Sequence, residues 1–521
     1  MKKIKYTIAG CLAITIILSS CKKDFLTLNP EGNLNENNFY KTDADYQQAV
    51  VGAYTSLRDV ANVAFWMDEM RSDNATYDYY AKDRGNAATE NISTFLDDAT
   101  TGVTLARYQA DYAGINKVNA ILDHLATNTT MSDSLKNQIS GEAKALRGHY
   151  YFDLVRNFGD VPLHLHETTN YNQAFLPRTA AADVYTQVIS DLKDAVNSLP
   201  VPTFADGQTG RMNKGVVSTE LAAVYMQRKD YTSALPLLQS VTKMGYTLLT
   251  NFGSIFDPAN KMASKNKELI LDVQYQSGTT GQSSAFIYRF IPNMPSTTVL
   301  LGVNFNVNAY GGWDVPTDNL MAVFEPGDTR FAASVGVVEG SINSNQDFVP
   351  TKVVSAVNYT PPAGVTAKYF CKKYYFAPYP NINRNTDQNW PLYRYGDVLL
   401  MLADCLNETG ASGDALPYIN QVRGRAFGDA AHAVTTTDQG LLRNAIALER
   451  RRELAFENKR WQDLIRTGQA ITVMTAYGIT AKQKYPYMLP QSFTVTQNRL
   501  LYPIPQNERN LNSQLTQNPG Y

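Results

Sequence analysis

The chain has 521 residues, with 47 Lys and Arg against 48 Asp and Glu, 18% charged and 44% hydrophobic residues and a formal net charge of −1. That balance describes a globular protein with a large core and offers nucleic acid no basic footprint. Four cysteines, two of them within the first 21 residues, exclude a disulfide framework, although one bridge between Cys371 and Cys405 is permitted.

Lys2, Lys3 and Lys5 precede an apolar run at residues 8–18, followed by Leu18-Ser19-Ser20-Cys21. This is the pattern of a lipoprotein signal peptide (residues 1–20) ending in a lipobox, with a run too short to span a bilayer; a plain secretory peptide that happens to end in Cys is the alternative. Cys21 is the residue to be lipidated, and its acyl chains, at about 0.8 kcal/mol per buried CH2, would hold the protein on a membrane. Cleavage removes three lysines and no acid, leaving a mature charge of −4. No second apolar stretch approaches 18 residues, so the lipid is expected to be the sole anchor.

After a polar tether, Tyr46, Ala49, Val50, Ala53 and Leu57 recur at helical spacing with Thr42 as N-cap. Further amphipathic helices are predicted over residues 105–125, 135–158 (capped by Ser132, broken at Gly159) and 182–199. Leu221, Ala222, Tyr225, Ala234, Pro236, Leu238 and Val241 then reappear 181 residues later as Leu402, Ala403, Leu406, Ala415, Pro417, Ile419 and Val422. The spacing is that of a tetratricopeptide helix pair, with each proline tolerable near the start of the second helix. Between the copies, residues 245–389 turn rich in Gly, Asn, Pro, Ser and Thr and read as loop and strand. Leu269, Leu271, Val273 and Tyr275 alternate with Ile270, Asp272 and Gln274, which predicts one half-buried strand. A long irregular region braced by helices is where binding surfaces are placed.

Glu449, Glu453 and Glu457, four apart among Arg450, Arg451, Arg452 and Arg460, read as a structural ion-pair ladder on one helix face. A glycosidase pair would need two carboxylates in different environments, which this pattern does not supply. His164 and His166 would face the same side of an extended segment, but only Glu167 stands near as a further ligand, so no metal site and no cofactor is expected. No catalytic triad, P-loop or dinucleotide fingerprint is legible. Aromatic residues outside the helical patterns are the stronger signal: Trp66, Tyr77, Tyr79, Tyr80, Tyr310 and Trp313, with Asp73, Asn74, Asp78 and Arg84 between them. Flat rings cover the C–H face of a sugar while such polar groups bind its hydroxyl rim; Trp66 and Trp313 could equally serve packing.

Five stretches carry a family resemblance: EAKALRGHYYFDLVRNFGDVPL from Glu142, PLYRYGDVLLMLADCLNETG from Pro391, INQVRGRA from Ile419, ERRRELAFENKRWQDLIR from Glu449 and the ending LYPIPQNERNLNSQLTQNPGY. With CKKDFLTLNPEG at Cys21 they resemble the SusD/RagB family of surface nutrient-uptake lipoproteins along nearly the whole chain. The resemblance implies a mainly α, SusD-like fold of about four tetratricopeptide-like helix pairs, with scaffold at about 39–244 and 390–475, a ligand-binding lobe at about 245–389, and a C-terminal segment, 476–521, packed back on the scaffold. It further implies a non-enzymatic, surface-exposed outer membrane lipoprotein that captures an oligosaccharide and delivers it to a SusC-like TonB-dependent transporter. A peptide-binding relative on the same scaffold, and a lipid-anchored hydrolase, are the competing classes.

Overall fold

The computed structural model describes residues 39–84 and 87–521; the signal sequence and Cys21 lie outside the described residues. Two compact units are distinguished, residues 1–49 and 50–521. The chain enters helix α1 (Asp43–Asp68), whose first residues belong to the first unit and the remainder to the second, through a reciprocal cap. The Thr42 N–H donates to the Asp45 carboxylate at 2.7 Å and the Thr42 hydroxyl accepts from the Asp45 N–H at 3.3 Å. The donated backbone N–H groups hold the Asp45 carboxyl below its ordinary pKa.

The second unit is built on a row of helices in which each packs on the next: α2 (Gly102–Thr127), α3 (Asp133–Phe158), α4 (Ala181–Ser198), α5 (Lys214–Gln227), α6 (Tyr231–Val241), α7 (Tyr395–Glu408), α8 (Ser412–Phe427) and α9 (Gln439–Glu453). Ser132 caps α3, accepting from the Leu135 N–H, and Gly159 ends it at φ 72°. Close approach depends on absent side chains. A Cβ on Gly114 would enter the Tyr150 ring of α3, and one on Gly148 would meet Leu192 of α4 at 2.9 Å. Charges inside this row are paired: Arg107 with Asp153 at 2.7 Å, Arg147 with Asp191 at 2.8 Å.

The internal repeat is real in three dimensions. Helices α5 and α7 begin 181 residues apart and so do α6 and α8, and α6 packs directly on α7. Pro236 and Pro417 lie inside the second helices, past the first turn, deeper than expected. The intervening segment leaves and re-enters through an antiparallel ribbon of β2 (Leu269–Val273) and β7 (Trp390–Arg394), so that two helix pairs far apart in sequence remain neighbours. Strand β2 is buried on both faces rather than half-buried, because Asp272, expected to face water, accepts from the Asn389 amide at 2.8 Å. Further strands are β1 (Ala75–Thr76), paired with β3 (Val315–Pro316), and the antiparallel sheet β5-β4-β6 formed by β4 (Val335–Ile342), β5 (Phe348–Ser355) and β6 (Thr366–Cys371). Cys371 and Cys405 are buried and free.

The three glutamates do not form a same-helix ladder. Helix α9 ends at Glu453, and Glu457 lies beyond it. Their partners come mostly from elsewhere: Arg330 reaches Glu449 at 2.6 Å, Arg394 reaches Glu453 at 3.0 Å and Glu457 at 2.6 Å, Arg425 reaches Glu453 at 2.6 Å, and Lys373 reaches Glu457 at 2.7 Å. This buried network joins the short helix Thr329–Ser334, the turn after β6, β7, α8 and α9, and its guanidiniums override the burial that would otherwise raise Glu453, holding its carboxyl far below the ordinary range. After α10 (Arg460–Arg466) and α11 (Ala470–Lys484), the C-terminal stretch lies against earlier segments: Phe493 N–H donates to Thr94, Tyr502 to Asn157 and Gln506 to Ala99, each at 2.8 Å.

Candidate functional site

The short β1–β3 ladder brings the two aromatic segments of the sequence together, with Ala75 opposite Pro316 and Thr76 opposite Val315. One step further, the Asp78 N–H donates to the Gly312 carbonyl at 2.7 Å. The glycines are required: Gly312 has φ 80° and a Cβ there would enter the Asn293 amide, and one on Gly311 would stand 2.6 Å from the Ile291 carbonyl oxygen. Asn293 in turn donates to the Asp78 carbonyl at 3.1 Å.

The expected site residues separate into two layers. Trp66 and Trp313 are 6% and 8% exposed and meet edge to face at 5.7 Å, with buried Tyr77 beside Trp313 at 6.2 Å. Asp73 and Asn74, expected on the polar rim, are buried and committed inward. Asp73 pairs with Arg451 at 2.9 Å and Arg460 at 2.8 Å, and Asn74 accepts from Arg451 at 2.8 Å and donates to Glu69 at 2.9 Å. Burial would raise Asp73, but those two guanidiniums win and hold its carboxyl below the ordinary value. These five side chains form the buried layer, of which Tyr77 and Trp313 line the surface depression described below.

Above them lie half-buried Tyr79, Tyr80 and Tyr310 and exposed Arg84. Tyr79 stacks on Tyr487 with centroids 4.2 Å apart and planes 12° off parallel, and Arg84, paired with Glu90, stands over the Tyr79 ring at 5.2 Å. The Tyr80 hydroxyl donates to Asp347 at 2.7 Å, an acid that also accepts from Lys82 at 2.9 Å and Asn308 at 3.3 Å. Tyr310 carries the Arg289 guanidinium at 4.3 Å and that of Arg384 at 3.5 Å. Between the segments is a shallow depression of about 20 Å³ lined by Tyr80, Arg84, Asn293 and Gly312 among others. Such a surface presents rings and hydrogen-bonding groups to an extended ligand rather than enclosing one.

Tyr487, Arg289, Arg384 and Asp347 were not singled out by the sequence. Each arrives from a segment remote from residues 66–84, and the one local hint is the aromatic pair flanking Pro486. Larger cavities exist elsewhere. One of about 460 Å³, walled by Tyr112, Phe175, Leu511 and Leu515, is mainly apolar, and the Asn119 amide at its edge already donates to the carbonyls of His164 and His166. The two histidines part company: burial lowers the His164 pKa, while exposed His166 meets Asp123 at 2.9 Å. Among the described residues no group of three His, Cys, Asp or Glu is placed to hold a metal ion.

The acids Asp73, Glu449 and Glu453 are held in ion pairs and the nearby surface offers aromatic rings, an arrangement suited to binding. Comparison with known proteins agrees. The family model described as SusD family matches residues 259–521, and one described as starch-binding associating with outer membrane matches residues 24–226. The chain belongs to the SusD family. SusD-like protein P2 of Formosa agariphila is 27% identical over 543 residues, covering 100% of both chains. Among solved structures, a laminarin-binding SusD-like protein is 25% identical with a TM-score of 0.72, over 92% of this chain and 100% of that one. Surface glycan-binding protein A from Bacteroides thetaiotaomicron, in complex with laminarihexaose, superposes with the same TM-score of 0.72 at 22% identity, over 92% of this chain and 100% of that one.

Proposed function

We propose that this protein captures an oligosaccharide on the surface formed by Tyr79, Tyr80, Tyr310, Arg84 and Tyr487 and releases it unaltered to a SusC-like TonB-dependent transporter. Anchorage at the outer membrane through acylated Cys21, and exposure at the cell surface, belong to the same reading. The observation that carries it is the layered aromatic site: buried Trp66, Tyr77 and Trp313 brace rings that remain half-exposed beside hydrogen-bonding groups. The laminarin-binding relative supports a glycan as the ligand class. Non-enzymatic action is supported by the acids near α9, which are held by guanidinium groups and are unsuited to share roles as acid and base.

Titration with laminarihexaose and a panel of soluble polysaccharides tests the reading. Tyr79→Ala and Tyr310→Ala should each weaken binding about tenfold, the loss of one partly buried ring. Unchanged affinity in both variants would misplace the site, and release of reducing ends by the wild type would end the non-enzymatic reading.

A further inference from the structure

Four cations around the aromatic surface each have an acid partner, and two arginines do not. Lys82 meets Asp347, Arg84 meets Glu90, Lys368 meets Asp78 and Lys484 meets Asp318. The guanidiniums of Arg289 and Arg384 have neither a carboxylate nor a hydrogen-bond partner among the described residues; what they touch is rings. Arg289 lies 4.6 Å from the Trp66 ring and 4.3 Å from that of Tyr310, and Arg384 lies 3.5 Å from the same tyrosine. Two like charges therefore converge on one half-exposed ring.

We propose that Arg289 and Arg384 form an oxyanion subsite beside Tyr310, so that the oligosaccharide this site takes is acidic, bearing a uronate carboxylate or a sulfate half-ester. The inference rests on the glycan-binding reading above and narrows its substrate class. A guanidinium is the group best matched to either anion, since its planar fork donates two parallel hydrogen bonds to a pair of oxygens. Both arginines are held in place rather than free to seek partners. Arg289 occupies a short helix, Phe286–Phe290, and its carbonyl accepts from the Trp313 N–H at 2.8 Å, which ties it to the buried layer of the site. Arg384 takes a left-handed conformation, φ 57°, uncommon for a residue with a Cβ. Its turn is pinned on the C-terminal side, where Asn385 exchanges hydrogen bonds with Gly278 and Thr386 pairs with Ser284.

Burial lowers the pKa of Arg289, Tyr310 raises it in part, and repulsion from Arg384 lowers it further. An anion reaching both guanidiniums would supply the opposite charge that each lacks, offsetting the cost of burial and the mutual repulsion. Recognition of one negative group per few sugars fits a protein whose overall charge is slightly negative: the attraction is local, so it selects among glycans without drawing polyanions to the whole surface.

The test uses the folded lipid-free protein against laminarin, xylan, polygalacturonate, alginate and κ-carrageenan, with affinities measured at 50 and 500 mM NaCl. A uronate or sulfated glycan should bind at least tenfold more tightly than either neutral one at low salt and lose most of that advantage at high salt. Arg384→Gln and Arg289→Gln should each weaken the acidic ligand about tenfold, and Arg384→Lys should restore part of the loss. Because Arg384 is exposed, its glutamine variant is expected to unfold at the wild-type temperature, which separates ligand contact from support of Tyr310. Preference for polygalacturonate and alginate identifies a uronate, and preference for κ-carrageenan a sulfate. Equal affinity for neutral and acidic glycans, or acidic binding indifferent to both glutamine variants, overturns the inference while leaving the glycan site intact. No binding to any of the five overturns both.

Discussion

Immediately behind the aromatic surface, Asp314 is fully buried at φ 55°, with neither carboxyl oxygen hydrogen-bonded among the described residues. Burial, reinforced by the neighbouring Glu69 and opposed only in part by Lys373, pushes its pKa well above the ordinary 3.8. The folded state therefore keeps a proton that the unfolded chain gives up near pH 4, so the contribution of this group is complete below 3.8 and is withdrawn as pH rises toward the folded value. Asn tolerates the left-handed conformation and carries no charge to desolvate. Asp314→Asn should thus gain on the wild type as pH rises from 4 to 7, by at most about 1.4 kcal/mol per pH unit, read from urea midpoints at each pH. A difference independent of pH would show that Asp314 ionises freely. The carboxyl's position, next to Trp313, explains why sequence alone could not sort the site: Trp313 stands among Gly311, Gly312 and Asp314, a stretch with no periodicity to tell inward from outward, and Asp73 resembles a ligand-binding acid until Arg451 and Arg460 are seen to occupy it.

Among the elements, the helix pairs were legible because their apolar spacing is local and repeated, and the structure starts α5 and α7, and α6 and α8, at the offset read from the sequence. Ala222 and Ala403 are wholly buried at equivalent positions of α5 and α7. Substituting either with Leu should overpack the seam and cost about 1–3 kcal/mol without altering ligand preference, as calorimetric unfolding and titration would register. If both variants melt as the wild type does, the equivalence of the two pairs is superficial. The sheet β5-β4-β6 was not legible strand by strand. Strand β4 contains Gly336 and Gly340, with a bulge between Glu339 and Gly340, and its first six residues are buried on both faces, which erases the alternation by which a strand announces itself. The network around Glu453 was half legible. The acids were visible as ion-pairing groups, whereas their partners Arg330, Arg394 and Arg425 come from other elements. Arg394→Met, which leaves Glu268, Glu453 and Glu457 short of a buried cation, should cost about 3–5 kcal/mol in chemical denaturation, far more than loss of a surface pair. A cost below 1 kcal/mol would mean that water replaces the guanidinium.

In the molecule as a whole, the recognition surface and the anchor proposed above draw on separate parts of the chain. The proposed ligand surface draws on residues 79–84, 289–310, 384 and 487, all carried by the unit 50–521, whereas the proposed anchor is Cys21. No helix among the described residues is long and apolar enough to cross a membrane, so in this reading the acyl chains supply the attachment. One chain binds a bilayer only marginally, while two or more give lasting attachment, and a single substitution at the acylated residue removes them all. Cys21→Ala should therefore leave the protein in the soluble fraction of cells that lack the proposed SusC-like transporter, and the purified variant should bind its glycan with the same Kd as the recombinant lipid-free body. Persistence in the outer membrane fraction without the transporter would require another attachment and would refute the role given to Cys21. Equal affinity with altered location is the expected pair of results, because a lipid tether raises the local concentration of a binding surface without changing any contact the surface makes.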